Sequence, residues 1–206
     1  MNTVTTTLAT TAVFSEDGGK RYLLEKTWDE SKPSLAIIML APSEAGGVEI
    51  DNTTMLVLNN VSRLGYGSVA VLNLFATLND FGLKEAEDED SENLNAIVEA
   101  SEKADVIVYA AGVGKAKNKS FQRRQEQVLT ALCPYESKLQ CLTDKDGNAR
   151  LQHPLSPAVR TWYFSPLKVD ELSPRREKPD EEAPQKKKAK KVVAKKEVPV
   201  HEPASK

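Results

Sequence analysis

Cysteine, histidine and long apolar runs are scarce in this chain, and each scarcity removes a class of function. Its two cysteines, Cys133 and Cys141, have no Cys-x-x-Cys spacing and no neighbouring histidine pair, a pattern that points to reduced thiols rather than a zinc site or a redox dithiol. Of the two histidines only His153 falls before the Lys-rich end of the chain, so a zinc site built on it lacks partners, and neither metal nor cofactor is expected. No apolar run approaches the roughly 20 residues that cross a bilayer. The Thr-rich stretch Met1–Thr11 has neither the basic start nor the long apolar core of a signal peptide. No strand is followed by Gly-x-x-x-x-Gly-Lys-Ser/Thr or Gly-x-Gly-x-x-Gly, so both standard phosphate-binding loops are missing. A soluble cytoplasmic protein with no membrane partner is expected.

What is present divides the chain in two. Residues 170–206 are crowded with Pro, Glu and Lys and show no apolar periodicity, a composition that does not repay the entropy of ordering. That segment carries eleven basic and eight acidic side chains, a net +3, so in a chain of net charge −2 the remainder stands at −5. The expectation is an α/β domain over residues 14–169 and a disordered basic tail over 170–206. Within the tail, Lys186, Lys187, Lys188, Lys190 and Lys191 form a cluster that suits a polyanion through charge alone. The same run resembles a nuclear localisation signal, which would matter only in or on a eukaryotic cell.

The body reads as one three-layer domain with a mainly parallel central sheet. Leu35–Leu40, Val69–Leu74 and Asp105–Ala111 are apolar runs that suit strands buried on both faces. Asp51 is placed to cap a helix carrying Met55, Leu58, Val61 and Leu64, together with Leu56 and Val57, with Met55 read as core, which would form the crossover between the first two runs. A further helix is expected over Asn93–Lys103 and another over Gln125–Leu132. The segment Lys20–Trp28 reads as a strand with Tyr22, Leu24 and Trp28 facing the core and Arg21 and Lys26 facing water. The six acids between Glu85 and Glu92 lack the glycine spacing of a calcium loop and read as a solvated segment. Lys115, Lys117, Lys119, Arg123 and Arg124 form a basic patch suited either to phosphate or simply to solvent.

Candidate site residues gather where the central strands end, the edge at which open α/β sheets bind ligands. Pro42, Ser43 and Glu44 follow the first run, and Asp51 follows that loop. Asn73 and Phe75 end the second run, where an amide and a flat ring suit the edge and face of a base, or equally a tied loop and a core position. Gly112 ends the third. His153, in His153-Pro154-Leu155-Ser156, can donate a hydrogen bond to an oxygen that gains charge during reaction.

Taken in order, Arg21-Tyr22-Leu23 with Trp28, Ile38-Met39-Leu40-Ala41-Pro42-Ser43, Asp51-Asn52-Thr53, Gly65-Tyr66-Gly67, Asn73-Leu74-Phe75-Ala76 and His153-Pro154-Leu155 resemble the family called domain of unknown function 1643, DUF1643. The resemblance covers residues 14–165. Relative to that family, Ala41 stands where Asn is usual, Glu44 where Thr is usual, Ala111 where Trp is usual and Ser156 where Tyr is usual. The layout is also similar, more distantly, to the uracil-DNA glycosylase superfamily. That likeness implies Phe75 as a base-stacking residue, Asn73 as a base-edge reader and His153 as the group that stabilises charge on the base oxygen. The water-activating group would fall at Ala41, leaving Asp51 or Glu44 as substitutes. The implied partner is DNA, RNA or a nucleotide, and the implied reaction is N-glycosidic bond hydrolysis in a glycosylase-like pocket. The alternative is a noncatalytic nucleic-acid-binding or host-interaction protein that keeps the fold and uses the basic tail.

Overall fold

A computed structural model describes residues 1–44, 47–78, 90–113 and 118–172. The Lys186–Lys191 cluster, Glu85–Glu89, Lys115 and Lys117 lie outside the described residues. Seven strands form one sheet: β1 (Ala9–Phe14), β2 (Arg21–Thr27), β3 (Ser34–Met39), β4 (Ser68–Asn73), β5 (Val106–Tyr109), β6 (Leu139–Thr143) and β7 (Tyr163–Pro166). Their spatial order is β1-β2-β4-β3-β5-β6-β7.

The sheet is mixed, which corrects the expectation of a mainly parallel one. β4, β3, β5 and β6 run parallel, whereas β1–β2, β2–β4 and β6–β7 pair antiparallel. Connection length accounts for part of this. The Ser15–Lys20 turn is too short for a crossover, and so is the stretch of residues 28–33 between β2 and β3, so those connections reverse the chain. β7 has no apolar run, because its residues are only partly covered, and its sequence therefore gives no strand signal.

Alternation along the buried strands feeds two cores. Ile38, Leu72, Ile107 and Tyr109 pack against α2 (Ser91–Lys103) and α3 (Lys119–Leu132), with Ile97, Phe121, Val128 and Leu132. Ile37, Val69, Val71 and Val108 pack on the other face against Val57 and Val61 of α1 (Asn52–Arg63) and against Trp162. Helices therefore cover both faces. α3 starts earlier than its apolar stripe suggests, because the Asn118 side chain accepts the Phe121 amide hydrogen at 2.9 Å and caps it. Gly67 lies where a Cβ would meet the Asp29 carbonyl oxygen at 1.8 Å; that closeness lets its own carbonyl accept from the Trp28 and Asp29 amides.

β1 begins at Ala9, Val169 is buried, and Glu171 pairs with Arg150 at 2.8 Å, so the compact unit spans Met1–Pro174. The path from β3 through α1 moves one way along the sheet, to β4. The path from β4 through α2 crosses the opposite face and returns past β3 to β5. The direction thus reverses between the carboxyl ends of β3 and β5, and a crevice at such a switch point is the usual ligand position.

Candidate functional site

The loop leaving β3 at that switch point is tied to the start of α1. Asp51 caps the helix by accepting the Thr54 amide hydrogen at 2.6 Å, and it also accepts a short hydrogen bond from the Ser43 hydroxyl. Burial pushes the Asp51 carboxyl up, but bonds from Ser43 and Thr54 and the charge of Arg21 outweigh this and leave it below the usual carboxylate value. Asp51 is therefore an anion at neutral pH.

Arg21 and Lys26 are buried, at 3% and 2% exposure, which corrects the expectation that they face water. Lys26 shares the face of Leu24 by ordinary alternation, and for Arg21 the cause is an irregularity in β2. Val13 pairs with Leu23 and Phe14 with Arg21, so Tyr22 is an extra residue in a β-bulge. The bulge breaks the alternation. Leu23 packs with the α2–α3 core and the Tyr22 hydroxyl donates to Glu92 of α2, while Leu24, Lys26 and Arg21 turn toward the α1 side. There Arg21 Nη1 donates to the Ser43 carbonyl at 3.3 Å, and Lys26 Nζ donates to the Gly47 carbonyl at 3.0 Å. Desolvation lowers both cations' pKa values, and Asp51 partly restores that of Arg21.

His153 arrives from the far end of the chain on a constrained loop. Leu151 has φ of 57°, a left-handed conformation that leucine rarely adopts, and Gly112 has φ of 79°. A Cβ on Gly112 would stand 3.3 Å from the His153 Cβ, so the glycine lets the β5 end and this loop approach. The Ser156 amide donates to the His153 carbonyl at 2.8 Å, and the Ser156 hydroxyl donates to Gln152 Oε1 at 2.8 Å. The loop is thus closed by Ser156. His153 Nδ1 accepts the Leu155 amide hydrogen at 3.2 Å, which leaves the proton of the neutral ring on Nε2. Burial lowers the His153 pKa, opposed by the Asp51 charge. A neutral imidazole with an Nε2–H donor results.

Asn73 is buried on the α1 side of β4, in register with Met39, and its side-chain Nδ2 has no hydrogen-bond partner among the described residues. Phe75 is 1% exposed and belongs to the α2–α3 core, so it is not brought to this edge. Pro42 is buried, Ser43 half-buried, and Glu44 exposed to solvent. Ser43, Asp51, Gly112 and His153 therefore come together at the switch point, Asn73 lies on the same face, and Phe75 does not.

Two structural polar residues went unrecognised in the sequence. Arg124 is 1% exposed rather than part of a surface patch; its Nε donates to the Leu74 carbonyl at 2.8 Å and its Nη2 to the Asp90 carbonyl at 3.3 Å. Its spacing from Phe121 and Val128 put it on the buried stripe, and that was the available signal. Asn93 Nδ2 donates to the Asn73 and Leu74 carbonyls at 3.0 and 3.1 Å. Together these side chains satisfy the backbone where β4 ends.

Among the described residues no group of three or more His, Cys, Asp or Glu is placed to hold a metal ion, and no helix is long and apolar enough to cross a membrane. No curated protein and no solved structure matches the chain. A family model described as "Protein of unknown function (DUF1643)" matches residues 21–155, which run from the buried arginine of β2 into the His153 loop. With the match covering well over half its length, the chain belongs to the DUF1643 family.

Proposed function

We propose that the switch-point cluster binds the carbonyl edge of a nucleobase, in a nucleotide or a nucleic acid, and hydrolyses its N-glycosidic bond. The observation that carries this reading is the state of His153: Nδ1 is occupied by the Leu155 amide, Nε2 bears the proton, and the ring is held neutral beside the ionised Asp51. Breaking an N-glycosidic bond leaves negative charge on the base and positive charge on the sugar. The Nε2–H of His153 would stabilise the first on a base oxygen, with the unpartnered Asn73 amide as a second donor. The Asp51 carboxylate would face the second. Its low pKa makes it a poor proton acceptor, so its part is to orient water and stabilise the sugar cation rather than to deprotonate water in advance. The Pro42 loop, Asn73 and the His153-Pro154 pair are the residues on which the proposed likeness to the uracil-DNA glycosylase superfamily rests. Phe75, being in the core, has no stacking role in this scheme.

Release of base from uracil-containing and other modified single- and double-stranded DNA, and from nucleotides, tests the reaction. Loss of release in His153→Ala and Asn73→Ala, with native thermal unfolding retained, is expected. Absence of release by the native chain across the panel would refute hydrolysis.

A second reading, binding without hydrolysis, is favoured by Ala41, which can neither orient nor activate water. In that reading the Lys186–Lys191 cluster contacts nucleic acid. Removing residues 175–206 would then abolish binding, whereas site-directed binding would survive the truncation and fail in His153→Ala.

A further inference from the structure

We infer that β1 pairs edge to edge with β1 of a second copy of this chain, antiparallel and with Thr11 on the two-fold axis, so that two seven-stranded sheets become one. This surface lies beyond the nucleobase reading and does not depend on it. β1 ends the strand order, and its outer side has no strand beside it among the described residues. A strand edge carries a row of unused backbone N–H and C=O groups, which proteins usually blunt with charge, proline or shortness. The opposite edge, β7, is blunted in those ways. It has four residues, it ends in Pro166, which lacks an N–H, and the Pro166 carbonyl accepts from Arg150 at 3.0 Å. β1 has none of these devices: it runs for six residues without proline, is exposed along most of its length, and no charged side chain occurs from Met1 to Ser15.

The side chains decide what this edge accepts. Leu8, Thr10, Ala12 and Phe14 line one open cavity on the α1 side, whereas Val13 stands with Leu23 on the α2 side. Leu8, Phe14 and Val13 are 43%, 40% and 43% exposed. A two-fold axis normal to the sheet keeps both faces continuous only if opposed residues have numbers of the same parity. With Thr11 on the axis, Leu8 faces Phe14 of the second copy on the α1 side, and Ala9 faces Val13 on the α2 side. Thr10 faces Ala12, and Thr11 meets its own copy in a favourable threonine pair. Each exposed apolar side chain is thus matched with another, and each unlike pair occurs twice.

Electrostatics favours a copy of the same chain. The chain outside residues 170–206 stands at −5, so copies repel except where they meet through an uncharged strip, and β1 offers no charge by which a partner of opposite sign would be recognised. The first acids beyond it, Glu16 and Asp17, fall opposite Thr6 and Thr5 of the second copy in that register. Glu25, which faces Thr11 from β2, stays three strand spacings, ~14 Å, from its own copy, past the ~8 Å over which salt screens exposed charge. Seven residues a side, Leu8–Phe14, are about a quarter to a third of a standard interface, so the dissociation constant is on the order of 10–100 μM. The axis reverses the strands of the second copy, and β3 lies three strands from the seam, so the two switch-point crevices open at opposite edges of the joined sheet.

Sedimentation velocity of the full chain from about 1 to about 500 μM, a range that brackets that constant, should show monomer giving way to dimer. Leu8→Lys removes a Leu–Phe contact at each end of the seam and should weaken the dimer roughly tenfold or more, with native thermal unfolding retained because Leu8 is an exposed residue ahead of the strand. Thr11→Cys tests the register. Opposed Cα atoms on the axis stand ~4.5–5.5 Å apart, within disulfide range, so oxidation by diamide, which takes up the two thiol hydrogens, should link two chains. Val13→Cys should not link, since its copy lies ~13 Å along the seam. Both cysteine variants carry Cys133→Ser, because Cys133 is exposed. A native chain that stays monomeric throughout would overturn the inference. Hydrogen exchange then says what else covers the edge: slow outward amides in β1 mean a segment of the same chain, and fast ones leave the edge to a partner of another sequence. A dimer unaffected by Leu8→Lys, or linked through Val13→Cys and not Thr11→Cys, would overturn it as well.

Discussion

Replacing Asp51 by Asn removes its charge and the oxygen that accepts the Ser43 hydroxyl while keeping the helix cap, so it tests what that charge and that bond do. Asn caps helices about as well as Asp, and its carbonyl oxygen can still accept the Thr54 amide hydrogen. The lost charge removes one contribution that offsets the burial of Arg21, 3% exposed. Asp51 is only half-buried and acts on Arg21 through its charge, so a solvent-screened cost of ~1–2 kcal/mol is expected here. At roughly 2–4 °C per kcal/mol for a domain of this size, the thermal midpoint should fall by about 2–8 °C. The effect must depend on pH in one direction. The folded pKa of Asp51 lies below its usual value of 3.8, so the stability it contributes is present above that value and is lost as pH falls through the folded pKa. Urea unfolding of the two proteins should therefore differ at neutral pH and converge in acid. His153 supplies an independent readout, because the Asp51 charge raises its pKa; in the variant its imidazole should titrate at still lower pH. An unchanged urea midpoint at pH 7 together with an unchanged His153 titration would refute the proposed electrostatic coupling.

Three further outcomes follow from the same geometry. By NMR, His153 should titrate below its usual 6.5, and since the folded pKa is the depressed one, stability should decline as pH falls from 6.5 to that lower value and then level off. Gly112→Ala should cost about 1–2 kcal/mol in urea unfolding, from the φ of 79° alone, and should move the His153 ring resonances because the new Cβ stands 3.3 Å from that side chain. Arg124→Met should cost ~1–2 kcal/mol by removing one donor each from the Leu74 and Asp90 carbonyls, which keep the Asn93 side chain and the Leu94 amide, with no change in the His153 titration.

The parallel centre of the sheet was readable because Leu35–Leu40 and Val69–Leu74 are buried on both faces and contain few polar interruptions. Of the antiparallel flanks, β2 was readable and the outermost strands were not. β1 is exposed along most of its length and β7 is only partly covered, and strands that bury little leave little hydrophobic pattern. The site was legible where its chemistry is local. Asp51 announces itself as a cap by its position before a helical stripe, and His153 is the only histidine in the body. What sequence reasoning missed was polar side chains in apolar positions: Arg21, Lys26, Asn93 and Arg124 are buried by contacts with backbone carbonyls far along the chain. Phe75 shows the converse error, since a residue that follows a strand end can turn to the opposite core once the strand's alternation has ceased.

The bulge at Tyr22 shows why those misreadings matter to the site. With regular alternation, Arg21 and Lys26 would fall on opposite faces of β2, and no more than one of them would reach the loop leaving β3. The extra residue brings both cations to the α1 side, where each donates to a carbonyl of that loop. The loop carries Ser43, and Ser43 in turn bonds Asp51, whose charge reaches His153. Position and electrostatics are thus supplied by the same contacts: Arg21 holds the loop and lowers the Asp51 pKa, while Asp51 caps the helix and raises that of His153. An apolar replacement of Arg21 would release the loop and shift the charge balance together. Asp51→Asn leaves the Arg21 bond to the Ser43 carbonyl available and changes the charge directly, which makes it the cleaner probe of how this edge of the sheet works.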